Sequence, residues 1–302
     1  MITKILITGA SGFLGSNLLS MLKDRECYTV YALSSRAEEL QERINGRNLT
    51  FLNKDAVFSN QASEIMKDAI VINCAYPRNS TGTAIADGLR YLQKVFESAV
   101  HNGATAIVNI SSQSVYSQLR IETATEETPI CLESPYAVGK YAVELLLESI
   151  CGGSETCYTN LRMASLIGPG FNQRIVNRFV AKLLNREPIT IVRQEKQMGF
   201  LDVEDAARAI LSIVSIPVET WKTVYNVGNG EGYTVEEIYR AAVSVLKDRV
   251  DIGDVEIVLG SDMSSSVVSY ERLKEDTGFN PEISLEVSIR KIVSQMRDWE
   301  RG

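Results

Sequence analysis

Apolar residues in the first half of the chain alternate between two rhythms. Short, nearly continuous runs ("KILIT", "YTVYAL", "LTFLNKD", "AIVINCAY", "AIVNISS", "CYTNLRM") are separated by stretches with helical periodicity. After the first run, Phe13, Leu14, Leu18, Met21 and Leu22 recur at that spacing, and "SRAEELQERI" and "TAIADGLRYLQKVFESAVHNG" follow later strands. Ser134 is a good N-cap and Pro135 suits the first helical turn, so a helix opens at "SPYAVGK", with Val138, Tyr141, Ala142, Leu145 and Leu146 as its apolar stripe. Apolar strands alternating with amphipathic helices predict an α/β fold whose parallel sheet is covered on both faces, doubly wound. Beyond residue 165 the rhythm is irregular. "SLIGPGFNQRIVNRFVAKLLNREP" reads as loop and helix, "FLDVEDAARAILSIV" as a helix and "VYNVGN" as a strand. The expected organisation is a larger α/β domain over 1–164, with segments near 201–228 returning to it. A smaller, mainly C-terminal substrate-binding α/β region covers 165–200 and 229–302.

Composition narrows the function. The 302 residues carry a formal net charge of −7, which argues against a nucleic-acid or anionic-membrane partner. No apolar run approaches the roughly 18 residues of a bilayer span. The opening "MITKILITGAS" lacks the basic-then-apolar build of an export leader. Five cysteines (27, 74, 131, 151, 157) form no regular pattern, as expected of reduced thiols in the cytoplasm. With one histidine, His101 near a helix end, and no CxxC, Cys151 and Cys157 make no metal site and no metal is expected.

Gly9, Gly12 and Gly15 lie directly between the first strand and its helix, where a dinucleotide's pyrophosphate rests on unpaired N–H groups. About twenty positions on, an NAD enzyme places a carboxylate for the ribose hydroxyls. Here stand Ser34, Ser35 and Arg36, with no acid before Glu38. Hydroxyls and a guanidinium suit a 2′-phosphate, so NADP is expected, with NAD the alternative. Tyr136 and Lys140 share a helix face at i and i+4. The same spacing recurs at Tyr270 and Lys274, but only the first pair follows a strand-end serine, Ser112, within the βα alternation.

These residues resemble the extended short-chain dehydrogenase/reductase family of sugar-nucleotide epimerases, dehydratases and ketoreductases. The likeness runs from the glycine loop through Asp55, Ser112, Tyr136 and Lys140 to "LRMASLIGPG", "FLDVEDAARAIL", "YNVGNGEGYTVEEI" and "TGFNPEISLEVSI". It implies a Rossmann-type fold with Tyr136 as acid/base, Ser112 on the reacting oxygen and Lys140 on the nicotinamide ribose. An unperturbed phenol titrates near ~10; Lys140 and the oxidised nicotinamide are expected to lower it. The resemblance further places Ser11, Phe13, Leu14, Asp55, Cys74 and Ala75 against the cofactor. Tyr76, Ser112, Gln113, Ser114, Ser165 and Met198 fall on the substrate side. Pairing as a homodimer through helices near 82–101 and 135–150 is also implied.

Departures from the family pattern narrow the reaction. Dehydratases carry Asp-Glu after the catalytic hydroxyl, where this chain has Gln113 and Ser114. The 3,5-epimerase-reductases need a Cys at the first of these positions and a later His, and neither is present. Reduction of a keto group, foremost on a 4-keto nucleotide sugar, is therefore the leading expectation, with 4-epimerisation through a transient ketone the alternative. A reductase of a small non-nucleotide ketone or aldehyde and a non-catalytic dinucleotide sensor are further alternatives. Met198 stands where many relatives place a diphosphate-gripping Arg; Arg174, Arg178, Lys182 and Arg193 are candidate substitutes.

Overall fold

The computed structural model describes residues 2–77, 81–246 and 255–300. In chain order it runs β1 (Thr3–Thr8), α1 (Phe13–Leu22), β2 (Tyr28–Ser34), α2 (Ala37–Arg43), β3 (Leu49–Asn53), α3 (Ala62–Met66), β4 (Ala69–Asn73), α4 (Gly82–His101), β5 (Ala106–Ser112), α5 (Pro135–Cys151) and β6 (Cys157–Met163). There follow β7 (Ser165–Ile167), α6 (Ile175–Leu184), β8 (Ile189–Arg193), β9 (Met198–Asp202), α7 (Val203–Val214), β10 (Val224–Val227), β11 (Gly232–Tyr233), α8 (Val235–Leu246), β12 (Val255–Leu259), α9 (Glu271–Thr277) and α10 (Leu285–Glu300).

Seven parallel strands form the main sheet in the order β3-β2-β1-β4-β5-β6-β10, the Rossmann-type arrangement. Its period of two divides each strand between two cores. Ile5, Ile7, Ile70, Ile72 and Val108 pack with α1 and α7 on one face, while Leu6, Val71 and Ile107 pack with α3, α4 and α5 on the other. Strand order reverses between β1 and β4, the switch point outside which such sheets bind ligands.

A third apolar cluster joins α6, α8 and α10 with β8 and β9. Here the structure departs from the expected loop and helix. "FLD" is a strand rather than a helix start, and β7, β8 and β9 run through 165–202. They exist because distant segments pair: β9 lies between β7 and β11, and β8 pairs with β12. No helix among the described residues is long and apolar enough to cross a membrane.

The stripe expected on α5 is also corrected. Its sheet-facing residues are Ala137, Lys140, Val143, Glu144, Leu147 and Cys151, whereas Val138 and Leu145 are exposed. Two charged residues occupy the buried face because partners on β5 and β6 satisfy them.

Candidate active site

At the glycine loop, β1 ends in a turn closed by the Gly12 N–H on the Gly9 carbonyl at 2.9 Å. Gly9 has φ +65°, and a Cβ there would meet the Ala75 nitrogen at 2.6 Å, across the switch point. A Cβ on Gly15 would lie 2.5 Å from the Gly9 carbonyl oxygen, so helix and turn approach as closely as backbone allows. Gly12 caps α1 without a side-chain hydrogen bond, leaving the first helical N–H groups for an anion. This cradle fits a pyrophosphate, which supports a dinucleotide here. Phe13 stacks on Phe171 at 4.6 Å, Leu14 is buried beneath the turn, and Ala75 closes against Gly9.

The end of β2 differs from the sequence expectation in one respect. Ser34 is buried, donates to Ser11 Oγ at 2.9 Å and accepts the Arg36 N–H at 2.9 Å. Its hydroxyl ties the strand to the glycine loop and is not free for a ribose phosphate. Ser35 and Arg36 are exposed, and the guanidinium of Arg36 meets Glu39 at 3.6 Å. Asp55 is exposed beyond the edge strand β3, beside Tyr91, whose phenol rises to about 12 through burial and, secondarily, that carboxylate.

Ser112, Tyr136 and Lys140 converge at the carboxyl end of β5. Ser134 caps α5 through the Ala137 N–H, which sets Tyr136 in the first turn. The Tyr136 hydroxyl faces that of Ser112, whose Oγ accepts from Ser114 Oγ at 3.0 Å. Lys140 is buried, donates to the Ile110 carbonyl at 2.7 Å and lies over the Tyr76 ring at 4.2 Å. Tyr76 meets Tyr136 edge to face at 5.4 Å, and its hydroxyl packs where a side chain at Gly139 would otherwise stand.

The electrostatics correct one expectation. Tyr136 is 36% exposed yet raised above its ordinary value, chiefly by its partial burial. The groups pulling it back are the Ser112 hydroxyl and the Arg174 charge. Lys140 is drawn instead to the Ile110 carbonyl and the Tyr76 face, with its Nζ 5.9 Å from the Tyr136 ring centre. Of the candidate substitutes for the missing Arg, Arg174, exposed at the N-cap of α6, is the one whose charge reaches Tyr136. Arg193 is paired with Glu236, Lys182 with the Pro188 carbonyl, and Arg178 is exposed on α6. Burial pushes the Cys74 thiol up to about 12 against the pull of Lys140, so it stays neutral.

Burial also lowers Lys140 to about 8, opposed by Cys74 and Glu144. The unfolded chain keeps this proton to near its ordinary 10.5, so between those values it binds more protons than the folded chain. Stability therefore rises with pH through that window. Relative to Lys140→Met, the wild type is expected to gain stability as pH rises from 8 to 10.5. Paired melting curves check it; a pH-independent gap contradicts it.

On the substrate side, Ser114 adjoins Ser112, but Gln113 is turned inward, its amide held by Gln118 at 3.4 Å and Arg120 at 3.1 Å. Ser165 opens β7, pairing with Phe200, and Met198 opens β9, packing on the third apolar cluster. Tyr270 has no such surroundings: it donates to Asn280 at 3.1 Å, and Lys274 pairs with Glu271. His101 is the exposed last residue of α4.

Sequence reasoning missed the polar scaffold under the site. Thr8, Asn73, Asn109 and Asn160 stand in register on adjacent strands and join side chain to side chain at 2.7, 2.9 and 2.8 Å. One rung further on, Arg162 of β6 grips Glu144 of α5, with Ser111 bonded to the same carboxylate. A polar residue interrupting each apolar strand at one register was the available signal.

The profile of the NAD dependent epimerase/dehydratase family matches residues 5–228. A dTDP-4-dehydro-6-deoxyglucose reductase of Escherichia coli is 22% identical over 310 residues, covering 97% of each chain. A putative UDP-glucose 4-epimerase of Methanocaldococcus jannaschii is 27% identical, covering 98% of this chain and 99% of its own. Among solved structures, a UDP-glucose 4-epimerase of Thermotoga maritima with UDP-glucose superposes with a TM-score of 0.82 at 22% identity, covering 99% of this chain and 100% of that one. With the family's pattern matched from the first strand to β10, this chain belongs to the NAD dependent epimerase/dehydratase family.

Proposed function

We propose that the protein reduces the keto group of a 4-keto nucleotide sugar, with Tyr136 as acid/base. The observation that carries this reading is the meeting of Ser112, Tyr136 and Lys140 beside the glycine cradle, with no acid at Gln113 or Ser114. The nicotinamide, when bound, supplies the hydride. Tyr136 gives its proton to the carbonyl oxygen, and Ser112 holds that oxygen. Tyr136, held above its ordinary value, carries its proton at neutral pH, the state a reduction requires. Arg174 brings positive charge to the substrate side, where Met198 brings none. The 4-epimerase reading rests on the same site and on the names of the relatives. An assay with 4-keto nucleotide sugars separates the two: a reductase consumes reduced cofactor in proportion to product, whereas an epimerase interconverts sugars with no net consumption.

For the cofactor we propose NADP, selected by Arg36 with Ser35. A charge-assisted hydrogen bond to a 2′-phosphate contributes about 1.5–3 kcal/mol, or roughly one to two orders of magnitude in affinity. Arg36→Ala is expected to weaken NADP by that factor and leave NAD nearly unchanged. Titration of both cofactors decides it: a wild type preferring NAD, or equal weakening of both, removes Arg36 as selector.

We also propose a homodimer through α4 and α5, supported by the exposed Val138 and Leu145 on α5. Light scattering at micromolar concentration is expected to report a dimer; a monomer contradicts it.

A further inference from the structure

We propose that Glu144 is a positioning residue for the proposed reaction, holding α5 against the end of β5 so that Tyr136 and Ser112 stay in register. The inference rests on the function proposed above. Three consecutive β5 residues face α5: the Ile110 carbonyl accepts from Lys140, Ser111 Oγ donates to Glu144, and the Ser112 hydroxyl faces that of Tyr136. The helix partners are spaced by four, so Tyr136, Lys140 and Glu144 form one stripe facing the strand.

Glu144 is the only one of the three that is also anchored to a second strand. Arg162 of β6 donates to it through Nε at 3.1 and 3.2 Å and through Nη2 at 2.7 Å. Arg162 is fixed in turn by Tyr116 Oη at 3.0 Å, and Tyr116 donates to Asn226 of β10 at 2.8 Å. Ser111 and Arg162 are register partners in the sheet, so the carboxylate bridges neighbouring strands from above. The chain of bonds therefore runs from β10 through β6 to α5 and β5. Glu144 and Arg162 are both almost fully buried, so the clamp has few alternative geometries. The charged or titratable groups facing Glu144 are Arg162 and Lys140. Those facing Tyr136 are Arg174, Tyr76 and Lys140, with the Ser112 hydroxyl beside them.

Glu144→Gln alone would leave Arg162 as a lone buried charge and risks misfolding. Two gentler variants carry the test: Ser111→Ala, and Glu144→Leu combined with Arg162→Met, which removes the pair without stranding a charge. Displacing a reacting group by an ångström costs up to about 100-fold in rate, so both variants are expected to lose roughly 10- to 100-fold in kcat with KM and dinucleotide affinity nearly unchanged. An independent readout needs no turnover. The phenol titration of Tyr136, taken as each protein minus its Tyr136→Phe counterpart, is expected to move to higher pH as the Ser112 hydroxyl draws away. Wild-type protein inert towards nucleotide sugars would sink the proposed reaction, and the titration would still judge the clamp. Lower melting temperature with unchanged kcat, or with an unchanged Tyr136 titration, overturns the positioning role.

Discussion

Replacing Tyr136 with Phe is expected to lower turnover by about two to four orders of magnitude, the usual worth of general acid–base help, or roughly 3–5 kcal/mol of barrier. The variant removes one hydroxyl, which is faced by Ser112 and Arg174, and leaves the ring edge to face with Tyr76. Cofactor binding should hardly change, since the glycine cradle lies on β1 and α1. Tyr270→Phe is the matched control. It also sits four residues before a lysine, but its hydroxyl serves Asn280, and its loss should leave turnover near wild type. Steady-state rates for the two variants check the assignment, and near wild-type turnover in Tyr136→Phe would remove it.

The second large effect concerns the cradle. Gly9→Ala places a methyl 2.6 Å from the Ala75 nitrogen and 2.7 Å from its Cα, at a φ of +65° that L side chains rarely adopt. Neither neighbour is a flexible side-chain end, so the turn must leave its place between β1 and β4. The expected cost is about 2–4 kcal/mol of stability, from left-handed strain and the clash together. Dinucleotide affinity should fall by about 100-fold or more, because the N–H groups no longer converge on the pyrophosphate. Gly103→Ala isolates the strain: its φ is +72° with nothing within 4 Å of an added Cβ. That control should lose only about 1 kcal/mol and keep its cofactor affinity. Denaturant melts with cofactor titrations decide it, and Gly9→Ala binding dinucleotide as tightly as Gly103→Ala would contradict the cradle.

The βα alternation was legible because each of the first six strands is an apolar run bounded by helical periodicity, and all six stand where the pattern put them. The glycine loop was legible for the same reason. The apolar face of α5 was not. Its buried stripe includes Lys140 and Glu144, so a hydrophobic count favoured the exposed side with Val138 and Leu145. Charges on the inner face of a helix make sense only once Arg162, Ser111 and the Ile110 carbonyl are known to meet them. The β7–β9 and β9–β11 pairings were hidden differently. β7 has three residues and β11 two, shorter than any window in which a period can be read, and their partners are remote in sequence. Residues 112, 136 and 140 were picked out from their strand-end context and the family resemblance, since the Tyr–Lys spacing recurs at Tyr270 and Lys274. Their electrostatics were not legible. That Arg174, more than Lys140, acts on Tyr136 follows from the direction Lys140 takes towards β5.

The central claim is that hydride moves to a sugar carbon at the end of β5, with its proton handled by Tyr136. Reduced dinucleotide carrying deuterium at the transferable nicotinamide position, mixed with wild-type protein and a 4-keto nucleotide sugar, tests it directly. The account predicts one deuterium on the carbon bearing the new hydroxyl, transferred by the wild type and by Tyr270→Phe but barely by Tyr136→Phe. Product without deuterium, or equal transfer by Tyr136→Phe, would contradict it.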